Sequence, residues 1–190
     1  MKAIIYRDNG GPDVLQLVDR DLPVPGPGEV RVRVAVSGVN PTDWQARSGI
    51  AHAKLFAEVT PHLDGAGVID AVGEGVDGSR VGQRVWLYMA AAGRPTGTAA
   101  QYTVVPAERA VPLPDSVGFD VGAALGVPAL TAHRALTVAE HGPGRLRPGA
   151  LDGRVVLAAG GAGAVGHAVI QPPRQRSPGS SALLRNRSTA

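Results

Sequence analysis

The spacing of polar and apolar positions changes character partway along this chain. From Glu29 to Val36 the run E-V-R-V-R-V-A-V alternates with period two, which predicts a strand with one buried face. Shorter β-rich runs stand at Lys2 to Tyr6, Val14 to Val18, Gly65 to Val72, Arg84 to Tyr88, Gln101 to Val105 and Ala110 to Leu113. Pro23, Pro25, Gly26, Pro27 and Gly28 mark a turn before the alternating run, and Gly73-Glu74-Gly75 and Val105-Pro106 mark others. Several short strands at close spacing predict a closed or partly open barrel, which removes exposed edges. Inside it, Gly65-Ala66-Gly67 predicts a bulge, a close backbone approach or a bend.

Beyond residue 118 the pattern turns helical. Phe119 to Leu125 and Ala129 to His141 are rich in Ala and Leu, and predict helices with a break at Pro128. Arg154 to Ala159 is a continuous apolar run of the kind buried on both faces of a parallel sheet. Glycines follow, then a helical segment from Ala164 to Gln171, and strand, glycine turn, helix is the opening of a βαβ unit. Pro172 and Pro173 predict that this helix stops by Gln171. The segment 172–190 reads as a disordered or frameshifted tail.

Composition narrows the function classes. Of the 190 residues 44% are apolar and 18% charged, proportions that fit a folded globular chain. No apolar run approaches the roughly 18 residues that span a bilayer, and the first residues lack a signal-peptide pattern, so a cytoplasmic protein with no membrane partner is expected. There is no cysteine, hence no thiolate nucleophile and no cysteine-held zinc. The net charge of +3 comes from Arg174, Arg176, Arg185 and Arg187, without which 15 basic residues face 16 acidic ones. This tail has no aromatic residue to stack on bases, and no nucleic-acid partner is expected.

Gly161-Ala162-Gly163-Ala164-Val165-Gly166 fits G-x-G-x-x-G and sits after an apolar strand and at the start of a helix. In such a turn the first glycine permits the sharp bend, the second lets the backbone approach a pyrophosphate and the third lets helix pack on strand. A chance hexapeptide in a chain with 26 glycines is the alternative. The residue about 20 positions on, which would select the ribose 2′ substituent, falls in the proline-broken tail.

Several segments in register resemble one family. Val39-Asn40-Pro41-Thr42-Asp43-Trp44 with Arg47-Ser48-Gly49, then Asp64-Gly65-Ala66-Gly67-Val68-Ile69 with Val72-Gly73-Glu74-Gly75-Val76, resemble the zinc-free medium-chain dehydrogenase/reductases of the quinone oxidoreductase, or zeta-crystallin, type. Val81-Gly82-Gln83-Arg84-Val85, Gly97 to Pro106 and Leu130-Thr131-Ala132 continue the likeness, which covers residues 1 to 171. The resemblance implies a mixed α/β chain: a chaperonin-10-like (GroES-like) β-barrel over 1–125, the first βα unit of a Rossmann NADP-binding domain over 126–171, and the tail over 172–190. It implies hydride transfer from NADPH, with NADH not excluded, to a quinone or an α,β-unsaturated carbonyl.

By the same resemblance Asn40 and Thr131 lie against the cofactor, Gly161, Ala162, Gly163, Val165 and Gly166 form the phosphate turn, and Trp44 and Gln45 face the substrate cleft. Plainer readings stand beside these: Asn40 before a proline forms a turn, Thr131 bonds its own helix, and the Trp44 indole packs into the barrel. Asp43 and Asp64 are expected to be structural hydrogen-bond acceptors. Zinc-dependent relatives would carry a cysteine near Val39 and a His-Glu pair at Leu63-Asp64, so no metal is expected, and His62 only neighbours that ligand position. Gln45 and Ala51 replace phenol groups of some relatives. No catalytic residue stands out.

Family members are much longer, and the rest of their Rossmann sheet has no counterpart here. A lone βα unit leaves its strand uncovered, so weak or no cofactor binding and an exposed apolar surface at Val155 to Ala159 are expected. The family's dimer contact lies largely in that sheet, which leaves the oligomeric state open. A non-catalytic GroES-like binding module is the alternative function, and a zinc alcohol dehydrogenase fragment a third.

Overall fold

A computed structural model of the chain describes residues 1–50, 54–138, 140–174 and 182–185, in two units, Met1–Val127 and Pro128–Ala190. In the first unit β1 (Lys2–Ile5) pairs antiparallel with β2 (Gln16–Asp19). The strands β3 (Glu29–Gly38), β4 (Asp64–Val72), β5 (Arg84–Leu87), β6 (Tyr102–Pro106) and β7 (Ala110–Pro112) form an antiparallel sheet in the order β6-β3-β4-β5-β7.

The connection between its two edges shows that this sheet is curled. In a flat sheet β6 and β7 would lie about 19 Å apart, four strand spacings. Only the 3-10 turn Ala107–Arg109 joins them, and that link reaches about 14 Å even when fully extended. The edges must therefore approach one another, as in a barrel. Arg80 fastens the turn by donating to the carbonyls of Ala107 and Ala110.

The alternation in β3 works as the sequence predicts: Val30 and Val32 are fully buried, while Arg31 points outward and grips Asp70 of β4 through two hydrogen bonds of 2.9 and 3.1 Å. Val30 and Val32 pack with Ile69, Val85, Leu87 and Val105 into the main core. Each such side chain contributes roughly 1.5–3 kcal/mol by leaving water. The β3–β4 register shifts between Val34 and Val36, opposite Gly67 and Ala66. A Cβ on Gly67 would lie 2.1 Å from the Arg33 carbonyl oxygen, so the glycine is required by backbone approach at a bulge. The short helix α2 (Phe119–Ala123) closes a second cluster of Ala66, Leu113 and Ala123.

Five differences from the sequence reading have local physical causes. First, Pro41–Ser48 form a helix, α1, in a stretch to which the sequence pattern assigns no element. Second, Pro128 does not break a helix: α3 (Gly126–Thr137) starts before it, and a first-turn residue needs no N–H donor. Third, β8 (Val156–Ala159) is not covered on both faces, since Leu157 is 61% exposed and Val155, just before the strand, 77%; its ladder partner among the described residues is a single strand. That exposure is the apolar surface expected of a lone βα unit.

The last two concern the chain beyond Gln171. Helix α4 (Ala164–Arg174) runs on through Pro172 and Pro173, which lie within its last three residues, so the two donors they remove weaken only the end of the helix ladder. In the tail β9 (Ala182–Arg185) pairs parallel with β8, from Val156 opposite Ala182 to Ala159 opposite Arg185. The segment therefore is not wholly structureless, because Ala-Leu-Leu-Arg supplies a ladder partner to an otherwise unpaired strand. Ala51, His52, Ala139, Arg176 and Arg187 lie outside the described residues. No described helix is long and apolar enough to cross a membrane.

Candidate functional site

Asn40 stands at the N-terminus of α1, where Pro41 fixes the first helical φ and Asp43 reaches back to accept the Asn40 backbone N–H at 2.7 Å. Gly49 ends the helix with φ of 83°, the left-handed geometry that glycine adopts freely. These capping signals are all present in the sequence. The Asn40 side-chain amide donates to Asp64 Oδ2 at 2.8 Å, and the same oxygen accepts the backbone N–H of Val127 at 2.7 Å. Asp64 thus ties α1 to the start of α3.

Asp64 is fully buried, and its Oδ1 has no hydrogen-bond partner among the described residues. A Cβ on Gly126 would fall 2.1 Å from that oxygen, so the helix start packs directly on the carboxylate. Burial pushes the Asp64 carboxyl above its ordinary range; the bonds from Val127 and Asn40 oppose this, and the Asp43 charge adds to it. Asp43 is also raised by burial, against backbone donors from Asn40 and Leu63. Both acids therefore hold backbone and amide groups in place, as expected of structural acceptors.

A second network joins the same carboxylate's backbone. The Thr98 hydroxyl donates to the Asp64 carbonyl, Ser37 Oγ lies 2.8 Å from Thr98 Oγ1, and His62 Nδ1 lies 2.9 Å from Ser37 Oγ. His62 has φ of 80°, an uncommon conformation for a residue with a Cβ. Burial lowers its imidazole below the usual histidine range. Ser37, His62 and Thr98 carried no sequence signal as a group, because they come from three separated segments.

His62 also lines a cavity of about 290 Å³ in the first unit, with Tyr6, Phe56, Val59 and Met89 among its walls. Helix α1 turns Thr42, Asp43 and Ala46 to this cavity. Trp44 and Gln45 are not on its lining, and Trp44 is 47% exposed, so the indole is not packed into the barrel core. Among the described residues no group of three or more His, Asp or Glu is gathered that could hold a metal.

The second unit contains the glycine turn. The left-handed residue of the bend is Gly160, with φ of 67°, one position before the hexapeptide. Gly163 N–H closes the turn on the Gly160 carbonyl at 2.8 Å. A Cβ on Gly166 would lie 2.3 Å from Gly160 O, so the third glycine is what lets α4 start against the end of β8. Gly163 is hemmed in on its side-chain face only by Gly160 O at 3.3 Å, while Ala162 and Val165 are exposed. The first amides of α4 have no carbonyl one turn back and suit an anion. Thr131 is exposed on α3, and its hydroxyl has no hydrogen bond among the described residues. Asn40, Trp44 and Gln45 thus belong to the first unit, and Thr131 with Gly161 to Gly166 to the second.

A curled antiparallel barrel followed by a strand–glycine–helix unit defines an alcohol-dehydrogenase-like fold, and residues 26–115 match the alcohol dehydrogenase GroES-like domain. A quinone oxidoreductase of Lama guanicoe is 38% identical over 175 residues, covering 92% of this chain and 49% of that protein. Among solved structures, a mycobacterial protein complexed with NADPH is 31% identical with a TM-score of 0.76, over 96% of this chain and 52% of the other. The Thermus thermophilus quinone oxidoreductase, also solved with NADPH, is 31% identical with a TM-score of 0.72, again over 96% and 52%. The chain belongs to the quinone oxidoreductase group of the medium-chain dehydrogenase/reductase family. It spans about half the length of the relatives it matches.

Proposed function

We propose that this chain carries the barrel and the first phosphate-binding turn of a zinc-independent, NADPH-dependent reductase of quinones or α,β-unsaturated carbonyls. The observation that carries the reading is the Gly160–Gly166 turn, in which the place of a Gly166 side chain is taken by the Gly160 backbone. NADPH, when bound, supplies the hydride. Gly161, Ala162, Gly163, Val165 and Gly166 would bind its pyrophosphate through turn amides, with Thr131 as a further cofactor contact. Asn40 would contact the nicotinamide, and Asp64 fixes which end of its amide is free by engaging Nδ2. Trp44 and Gln45 would border the acceptor. Zinc independence rests on the absence of cysteine and on Leu63-Asp64 at the place of a metal-binding pair.

The test is NADPH binding by fluorescence titration, with NADH beside it, followed by absorbance at the nicotinamide band in the presence of 1,4-naphthoquinone. Saturable binding and quinone-dependent oxidation are expected when the remaining nucleotide-binding sheet is supplied by fusion to the corresponding half of a relative. Weak or no binding is expected of the 190-residue chain alone. A well-folded fusion that neither binds NADPH nor reduces the quinone would leave a non-catalytic GroES-like module instead.

A further inference from the structure

The hydrogen bonds that run from Asp64 through Thr98 and Ser37 to His62 share one direction. Thr98 has one hydroxyl proton, and it goes to the Asp64 carbonyl. Thr98 Oγ1 must then accept in its 2.8 Å contact with Ser37, which places the Ser37 proton on that bond. Ser37 Oγ is left as acceptor toward His62, so Nδ1 of His62 carries the proton. In the neutral ring, which burial favours, Nε2 is consequently a bare acceptor. Nε2 has no hydrogen bond among the described residues.

His62 lines the cavity of about 290 Å³ beside α1, and its left-handed backbone is strained for a residue with a Cβ. Simple chain reversal at this position would be easier with glycine, so the imidazole is held there at a conformational cost. The volume lies at the lower end of the roughly 300–1,000 Å³ typical of ligand pockets, enough for a single ring. The ring of Tyr6 and the side chains of Phe56, Val59 and Met89 give it apolar walls, while Asp43, Lys54 and Arg94 bring charged groups to the same lining.

We propose that this cavity binds a single-ring phenol or hydroquinone whose hydroxyl donates a hydrogen bond to Nε2 of His62. A ring of the same size without a donor, such as a quinone or an aryl ether, leaves Nε2 desolvated and unpaired and binds less well. The inference involves only the first unit and stands independently of NADPH chemistry.

The experiment uses the 190-residue chain, with no nucleotide, and titrates 4-methylphenol against 4-methylanisole. Long-range proton–nitrogen NMR spectra read the His62 ring, assigned by its loss in His62→Gly. The expected result is an Nδ1-protonated ring whose Nε2 signal moves with 4-methylphenol, and affinity for the phenol about tenfold above that for the ether. His62→Gly removes the ring and relieves the positive φ, so it is expected to fold while losing the preference. Ser37→Ala keeps the ring but frees its tautomer, and is expected to reduce the preference. Equal binding of the two compounds, no binding of either at millimolar concentration, an Nε2-protonated ring, or an unchanged preference in folded His62→Gly would each overturn the proposal.

Discussion

Asn40 and Asp64, 24 positions apart, meet through a buried hydrogen bond of 2.8 Å from Nδ2 to Oδ2. The bond joins the start of α1 to the first residue of β4, and Val127 adds a donor from α3 to the same oxygen. Removing either partner leaves a buried polar group unpaired. Asn40→Ala is expected to destabilise the first unit by about 1–3 kcal/mol, measured by urea denaturation. Asp64→Ala, which strands two donors, should destabilise it further.

Asp64 also predicts a pH dependence. Its folded-state carboxyl is raised by burial above the unfolded value, so the protonated form is the one the fold favours. Its contribution is fully present below the unfolded pKa of about 3.9 and is lost as pH rises through the elevated folded value. The stability deficit of Asp64→Asn relative to the native chain should therefore be largest in acid and shrink toward neutrality. Urea denaturation of both proteins across that range measures it, and a deficit that widens with pH would contradict the assignment.

At the barrel bulge, Gly67→Ala places a methyl group 2.1 Å from a backbone oxygen, which the bulge cannot yield cheaply. A loss of about 2–4 kcal/mol is expected. Gly78→Ala, where a Cβ meets nothing within 4 Å, is the control and should stay within about 0.5 kcal/mol.

The exposed face of β8 predicts self-association. Val155 and Leu157 present apolar surface beside a two-stranded ladder, and Leu157→Lys should reduce concentration-dependent association in light scattering without lowering the stability of the first unit.

In the fusion that completes the nucleotide-binding sheet, Gly166→Val should lower NADPH affinity at least about tenfold, because the added side chain drives α4 away from the Gly160 backbone. Titration of the folded variant reads this directly, and an unchanged affinity would argue against the turn as the phosphate site.

Much of the barrel could be read from the sequence because its signals are local. The alternation of valines and arginines after Glu29 selects the buried face of β3 without help from any other segment, and Val30 and Val32 are buried accordingly. Gly65-Ala66-Gly67 marked the bulge for the same reason: absence of a side chain is visible in one dimension. Pro128 misled because proline has opposite meanings in the first turn and the interior of a helix, and only the starting point of α3 distinguishes them.

The sequence by itself determined the strand pattern, the glycine turn between β8 and α4, the lack of any cysteine chemistry and the family likeness, since each depends on neighbours in the chain or on composition. Tertiary structure alone decided that Asp64 would orient Asn40, and that Ser37, Thr98 and His62 would form one directed chain of hydrogen bonds beside a cavity. Those residues come together because the curled sheet brings the ends of β3 and β4 against the segment before β6, and hydrogen-bond direction depends on that meeting rather than on sequence spacing.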